Sequence, residues 1–286
     1  NDNHPGLATA AVLTGGIFNV FGDWFCVFVL DLGVFGAGLA TATGAVISLA
    51  VMCSHFFSKK CTLHLVPVQK LFKKLGEIAV TGFSSFFVDV AMGILTVLFN
   101  RQIMKYLDSD ALAVYATVIN ISTFVQCCAY SVGQAAQPIL STNYGAGDAA
   151  RIRKTLSLAL GTSMAFAAFW TGLSELAPGL YIRIFMRPTD AILAIAPSII
   201  RRYSVSFILL PVNIFSTYYF QSILRPKDSF IVSIARGLVV SWLLIFALPA
   251  IFAPDSIWWA MPLTELVTFV YAGFAMRRDT RALSQN

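Results

Sequence analysis

Residues 15–52 read GGIFNVFGDWFCVFVLDLGVFGAGLATATGAVISLAVM. Only Asp23 and Asp31 carry a formal charge, and nearly everything else is apolar or small. A helix needs about 20 mostly apolar residues to cross a bilayer. The stretch therefore covers most of two spans, at about 7–29 and 33–56, turning near Asp31 and Leu32. Asp23 lies deep inside the first, with Asn19 one helical turn earlier. A charge at mid-membrane costs about 2.5–3.5 kcal/mol on insertion scales. Asp23 therefore calls for a partner, a water-filled cavity or an ion.

The rest of the chain follows the same pattern. Hydrophobic residues make up 57% of 286 and charged residues 12%, with mean hydropathy +0.75. That is too little polar surface to coat a soluble core. Six further apolar segments fall at about 78–99, 111–133, 155–178, 191–222, 228–252 and 256–276, giving an all-α polytopic bundle of about eight transmembrane helices. The segment at 191–222 is long for one crossing and contains Pro197, Arg201, Arg202 and Pro211, so an interfacial turn is expected near its start. The short alternating segments of a membrane β-barrel are missing.

Lys and Arg orient the loops. Thirteen, including Lys59, Lys60, Lys70, Lys73, Lys74, Arg151, Arg153, Lys154 and Arg277, fall on one set of loops and in the tail; the opposite loops hold four. The positive-inside rule makes the richer side, and both ends of this chain, cytoplasmic. The net charge of +6 is thus a topology signal, and its spread over separate loops speaks against nucleic acid. The chain begins with Asn1 and no basic n-region precedes the first span, so a signal peptide is not expected and an N-terminal truncation is.

Five cysteines, Cys26, Cys53, Cys61, Cys127 and Cys128, do not suit a disulfide framework. Cys53, His55, Cys61 and His64 lack a zinc-site spacing, so no metal is expected beyond a coupling cation. HExxH, GxSxG and paired intramembrane histidines are all lacking, which argues against an enzyme. The expected organisation is two spans at 1–57, a basic cytoplasmic linker at 58–76, and six spans at 77–286. In the linker, Val68, Leu71, Phe72 and Leu75 form a surface-lying apolar face.

The most specific string is SVGQAAQPILSTNYGAGDAARIRKTL, residues 131–156. A span is expected to end near Gln137 and Pro138, because proline disfavours a helical residue before it. Gly145 and Gly147 then permit a tight turn. This string, with Gln137, Pro138, Tyr144 and Gly145 as its structural motif, resembles the multidrug and toxic compound extrusion (MATE) transporters. FNVFGDWFCVFVLDLGVFGAGLAT is similar to that family's fifth and sixth spans, and GFSSFFVDVAMGILTVLFNRQI to its seventh, with Ser84 where the family has proline. YSVSFILLPVNIFSTYYFQSILR looks like the tenth span and IARGLVV like the start of the eleventh. The resemblance implies a two-lobed transporter fold represented here by spans five to twelve, without the first four helices.

Asn19 and Asp23 share a helix face, and Thr41 lies at matching depth across the turn. Hard oxygens of this kind suit a proton or Na⁺. The resemblance implies the same trio as a cation site, completed in relatives by a first-span Asp that this chain does not contain. Asp89 is a second intramembrane carboxylate, for substrate or proton. Arg236 and Glu265 on neighbouring spans suggest a structural ion pair, and Glu77 reads as a structural interfacial residue. Asn120, Gln126, Asn213, Tyr218 and Gln221 are the polar candidates for a substrate pathway; Phe83, Phe86, Phe87, Tyr115, Phe215 and Tyr219 are aromatic candidates.

The combined expectation is a monomeric multi-pass protein of the bacterial inner membrane. It would exchange H⁺ or Na⁺ for amphipathic, often cationic drugs by alternating access, without a cofactor and with the lipid bilayer and small molecules as partners. A lipid-linked precursor flippase of the same superfamily and a non-transporting remnant are the alternatives.

Overall fold

The computed structural model describes the backbone of residues 5–58, 61 and 71–282, and the side chains of 6–58, 61, 71–76 and 90–281. Eleven α-helices follow in order among these residues, with no strand: α1 (Pro5–Trp24), α2 (Gly33–Cys53), α3 (Leu71–Tyr106), α4 (Ser109–Gly145), α5 (Ala149–Leu176), α6 (Pro178–Phe185), α7 (Asp190–Ser204), α8 (Leu210–Ser222), α9 (Pro226–Ile234), α10 (Val240–Ile251) and α11 (Ala260–Ala282). Wider π turns at Phe25–Val29 and Ala235–Val239 extend α1 and join α9 to α10; 3-10 turns follow α2, join α7 to α8 and precede α11. Among the described residues, seven helical stretches are long and apolar enough to cross a membrane: Gly6–Val29, Gly33–Phe57, Ser109–Gly145, Ala149–Leu176, Asp190–Ser222, Pro226–Ile251 and Pro254–Arg281. The remaining expected span, 78–99, falls inside α3. The side chains of Glu77, Phe83, Phe86, Phe87 and Asp89, and residues Lys59, Lys60, His64, Val68 and Lys70, lie outside the described residues.

Contacts divide the chain into two compact units, Asn1–Lys74 and Leu75–Asn286. In the first, α1 and α2 form a hairpin that turns where Asp31 and Gly33 take left-handed backbone angles (φ 54° and 53°). Small residues recur every fourth position on α2, at Gly36, Ala40, Gly44 and Ser48, and face Ala11, Gly15 and Gly22 of α1. In lipid, helices associate by close packing and hydrogen bonds rather than by hydrophobic exclusion, and small residues permit that approach. A Cβ on Gly15 would stand 2.6 Å from the Gly44 carbonyl oxygen, and one on Gly44 would stand 2.8 Å from the Gly15 carbonyl. Ser48 Oγ closes the contact by donating to the Ala11 carbonyl at 2.8 Å.

In the second unit α4 is central, packed on α5, α7 and α8, with α11 closing on α8, α9 and α10. Two apolar layers result. One is built around Phe99, Tyr115, Tyr203 and Trp258, with the Phe99 and Tyr115 rings stacked at 4.5 Å. The other gathers Leu140, Ile152, Phe215, Tyr219 and Phe220. Tyr115, Phe215 and Tyr219 are buried in these helix contacts. The outer helix surfaces keep large apolar side chains such as Phe169, Leu176 and Phe274 uncovered, as a lipid environment allows.

Pro138 acts differently from expectation. The helix does not end at Gln137; α4 runs on through Pro138 to Gly145. Proline removes one ladder hydrogen bond but leaves its neighbours free to bond. Asn143 Nδ2 donates to the Ile139 carbonyl at 2.7 Å, and Ser141 Oγ to the Pro138 carbonyl at 3.1 Å. The turn comes at Gly147 (φ 71°), after which the Asp148 carboxylate caps α5 by accepting from the Arg151 N–H at 2.9 Å. Near Pro211 the ladder does break: Val205–Ile208 is a 3-10 turn and α8 starts with Pro211 in its first turn. Just before this break, Arg201 donates to the Glu175 carbonyl (3.1 Å) and Arg202 to the Asp255 carboxylate (3.1 Å), fastening α7 to the end of α5 and to the 3-10 turn before α11.

Candidate functional site

In the first unit the small-residue ladder sets Asn19 against Thr41. Asn19 Nδ2 donates to Thr41 Oγ1 at 3.1 Å, while Thr41 Oγ1 donates to the Ala37 carbonyl of its own helix at 3.0 Å. The amide nitrogen is a donor only, so Oδ1 is the Asn19 atom that can face a cation. Asp23 follows on the same face of α1. Its Oδ1 is buried with no hydrogen-bond partner among the described residues. The π turn Phe25–Val29 begins two residues later, with Leu30 N–H donating to the Phe25 carbonyl at 3.0 Å. π turns inside α-helices often mark functional positions. Thr41 is level with Asn19, and Ala40 packs at Gly22 beside Asp23, so the three polar groups share one short section of the hairpin. A carboxylate, an amide oxygen and a hydroxyl are ligands for a small hard cation or a proton.

In the second unit Arg236 and Glu265 meet. Arg236 Nε donates to Glu265 Oε1 at 2.6 Å, from a position inside the π turn Ala235–Val239. Glu265 is fully buried. Its other oxygen accepts from Asn213 Nδ2 at 2.6 Å, and the same amide also donates to the Glu265 carbonyl at 2.8 Å. Asn213, expected on a substrate pathway, is completely buried and engaged with Glu265. Its Oδ1 has no partner among the described residues. The Tyr203 hydroxyl lies close enough to feel both charges and neighbours Ser122, to which Gln126 Nε2 donates at 3.3 Å. The cluster joins α4, α7, α8, the π turn and α11 between the two apolar layers. Tyr203 and Ser122 carried no signal in the sequence, since neither residue type stands out in an apolar span.

The remaining polar candidates separate. Asn120 is exposed on α4 and Gln126 half-buried. Tyr218 packs its ring over Gly133, where a Cβ would collide with it, and meets Tyr130 edge-on at 6.4 Å. Gln137 Nε2 donates to Gln221 Oε1 at 3.3 Å, and Gln221 Nε2 to Ser229 Oγ at 3.3 Å, so the glutamine before Pro138 ties α4 to α8 and α9. Tyr144 packs beside the second apolar layer and Gly145 ends α4. Nearby, Asp228 accepts from Tyr271 Oη (2.7 Å) and Arg278 Nη2 (3.0 Å), and Arg278 Nε also donates to Asp279 at 2.9 Å.

Helices of crossing length with carboxylates set inside them define a multi-pass membrane protein. The MatE family model matches residues 85–246, more than half of the chain, and the chain belongs to that family, whose members are transporters and not enzymes. It is 23% identical over 265 residues to the multidrug export protein MepA of Staphylococcus saprophyticus, covering 92% of this chain and 58% of the relative. Among solved structures, it is similar in fold to an outward-facing multidrug resistance MATE family transporter of the MOP superfamily (TM-score 0.85, 18% identity, 97% of this chain and 63% of that one). It is also similar to a MOP superfamily transporter from Pyrococcus furiosus Vc1, described as having a binding pocket of reversed polarity suggesting a different function (TM-score 0.84, 19% identity, 97% and 63%). An inward-facing MATE structure matches as well (TM-score 0.79, 19% identity, 100% and 66%). The chain spans less than two thirds of each of these relatives' lengths.

Proposed function

We propose that this chain is the ion-binding and drug-handling part of a secondary multidrug exporter of the bacterial inner membrane, exchanging H⁺ or Na⁺ for amphipathic, often cationic drugs by alternating access. The observation that carries the reading is the buried, unpartnered Asp23 Oδ1 beside the Asn19–Thr41 hydrogen bond. A carboxylate left without a partner in an apolar span is poised to take up a cation.

In the cycle, Asp23 binds the ion, with Asn19 Oδ1 and Thr41 Oγ1 as neutral oxygens. Neutralisation removes the penalty for packing Asp23 among apolar neighbours, and α1 adjusts at the π turn that follows. Coupling requires that ion and drug favour different conformations. The glutamines Gln126 and Gln221, with Tyr218, offer hydrogen bonds and an aromatic face to the drug, and Asp89 a counter-charge. Arg236, Glu265 and Asn213 hold the second unit's helices in register.

The experiment is efflux of a fluorescent cationic drug from proteoliposomes under separately imposed proton and sodium gradients. One gradient is expected to drive export, and Asp23→Asn to abolish it at normal protein yield. Undiminished ion-driven efflux by Asp23→Asn overturns the reading.

A further inference from the structure

A groove of about 800 Å³ opens between α5, the 3-10 turn with α8, and α11. Its long walls are apolar, with Leu160 and Met164 from α5 and Val270 and Phe274 from α11. Polar side chains gather at one end only. Arg153 stands one turn into α5, and Arg277 and Arg281 stand in the last two turns of the antiparallel α11. Among the described residues, none that lines the groove is acidic. Arg153 and Arg277 are exposed and make no ion pair among the described residues, whereas the adjacent Arg278 is committed to Asp228 and Asp279. The Thr280 hydroxyl is engaged with Tyr219 at 2.9 Å.

The depth of the groove is informative. Met164 lies eleven residues beyond Arg153, and Phe269 eight before Arg277. At 1.5 Å per residue the apolar part runs about 12–16 Å from the basic rim. Half of a hydrocarbon core is about 15 Å. The groove is therefore one leaflet deep, with its positive charge at headgroup level on the Lys- and Arg-rich side of the chain. A cationic drug is repelled by this rim. An anionic amphiphile matches both ends.

We infer that this groove is a binding site for an anionic phospholipid, its phosphate at Arg153 and Arg277 and one acyl chain along Leu160, Met164, Val270 and Phe274. Gly273 forms part of the floor, and a Cβ there meets nothing within 4 Å. A larger side chain at 273 therefore occupies the groove without disturbing the helices.

The test is native mass spectrometry of the detergent-solubilised chain with equal phosphatidylglycerol and phosphatidylcholine. Phosphatidylglycerol is expected to be retained preferentially. R153Q/R277Q weakens it roughly ten- to thirty-fold, as two lost headgroup charges imply. R153K/R277K, which keeps both charges, retains it, and G273L loses it with unchanged helicity. Equal retention of both lipids, wild-type retention by G273L, or displacement by millimolar inorganic phosphate overturns the assignment. If R153Q/R277Q fails to fold, G273L and R153K/R277K carry the test.

Discussion

Arg236 Nε lies 2.6 Å from Glu265 Oε1, and the carboxylate it meets is completely buried. A buried pair stabilises little against a well-packed apolar substitute, yet losing one partner strands a charge, at about 3–5 kcal/mol. Glu265→Ala is expected to lower the thermal unfolding midpoint sharply in detergent, by the equivalent of about 3 kcal/mol or more. The double variant Arg236→Met with Glu265→Leu is expected to recover most of that loss. A double variant as unstable as the sum of its singles contradicts this account.

Asn213 shares the same carboxylate at 2.6 Å and is equally buried. Asn213→Leu removes a hydrogen bond to a charged group, an effect of about 1.5–3 kcal/mol. If Asn213 acts only on Glu265, Asn213→Leu placed in the double variant costs much less than it does alone. Thermal unfolding of the four proteins checks this.

Asp23 behaves oppositely, because it has no partner to lose among the described residues. Asp23→Asn is expected to change stability by less than about 1 kcal/mol while stopping ion-driven efflux. Thr41→Val breaks the hydrogen bond from Asn19 and costs about 0.5–1.5 kcal/mol, whereas Thr41→Ser keeps it. Parallel unfolding and efflux measurements separate the two effects.

Gly15 and Gly44 each face the other's carbonyl oxygen. Backbone cannot step aside as a side chain can, so Gly15→Ala and Gly44→Ala are expected to push α1 from α2 at a cost of about 1–3 kcal/mol. Cysteine crosslinking between positions on the two helices, at graded linker length, reports the separation. Gly16, whose Cβ meets nothing within 4 Å, is the control: Gly16→Ala is expected to be silent.

Pro138→Ala restores one N–H to an uninterrupted helix. A mid-helix proline costs about 3 kcal/mol, so the variant is expected to be more stable than the parent. Hydrogen exchange is expected to slow locally at residues 134–142. Faster exchange there contradicts the account.

Most of the architecture was legible because lipid imposes a simple demand: about 20 apolar residues per crossing. The expected 33–56 and the observed Gly33–Phe57 differ by one residue. Counting outward from the turn at Asp31 and Leu32 put Thr41 at the depth of Asp23, whereas Thr41 bonds Asn19, one helical turn earlier. Pro138 and Pro211 show where local rules run out. Both residues disfavour a continuing ladder, but α4 passes through one while a 3-10 turn precedes the other, and packing decides between them. Asn213 is similar. Its amide suits a water-lined path as well as a buried carboxylate, and only the approach of α11 to α8 brings Glu265 within reach.

The π turn at Ala235–Val239 bears on how this region can change length. It winds in one residue more than an α-helix of the same rise would hold. Deleting one residue after Arg236 returns the segment to α geometry, and the helix beyond keeps nearly its present face, because a π turn fits its extra residue into about the same rotation and rise. Trp242 and Phe246 would stay on the face they now occupy. Arg236, inside the turn, is the side chain whose aim at Glu265 such a gap would change, so a shortened segment tests that pair apart from the rest of the helix.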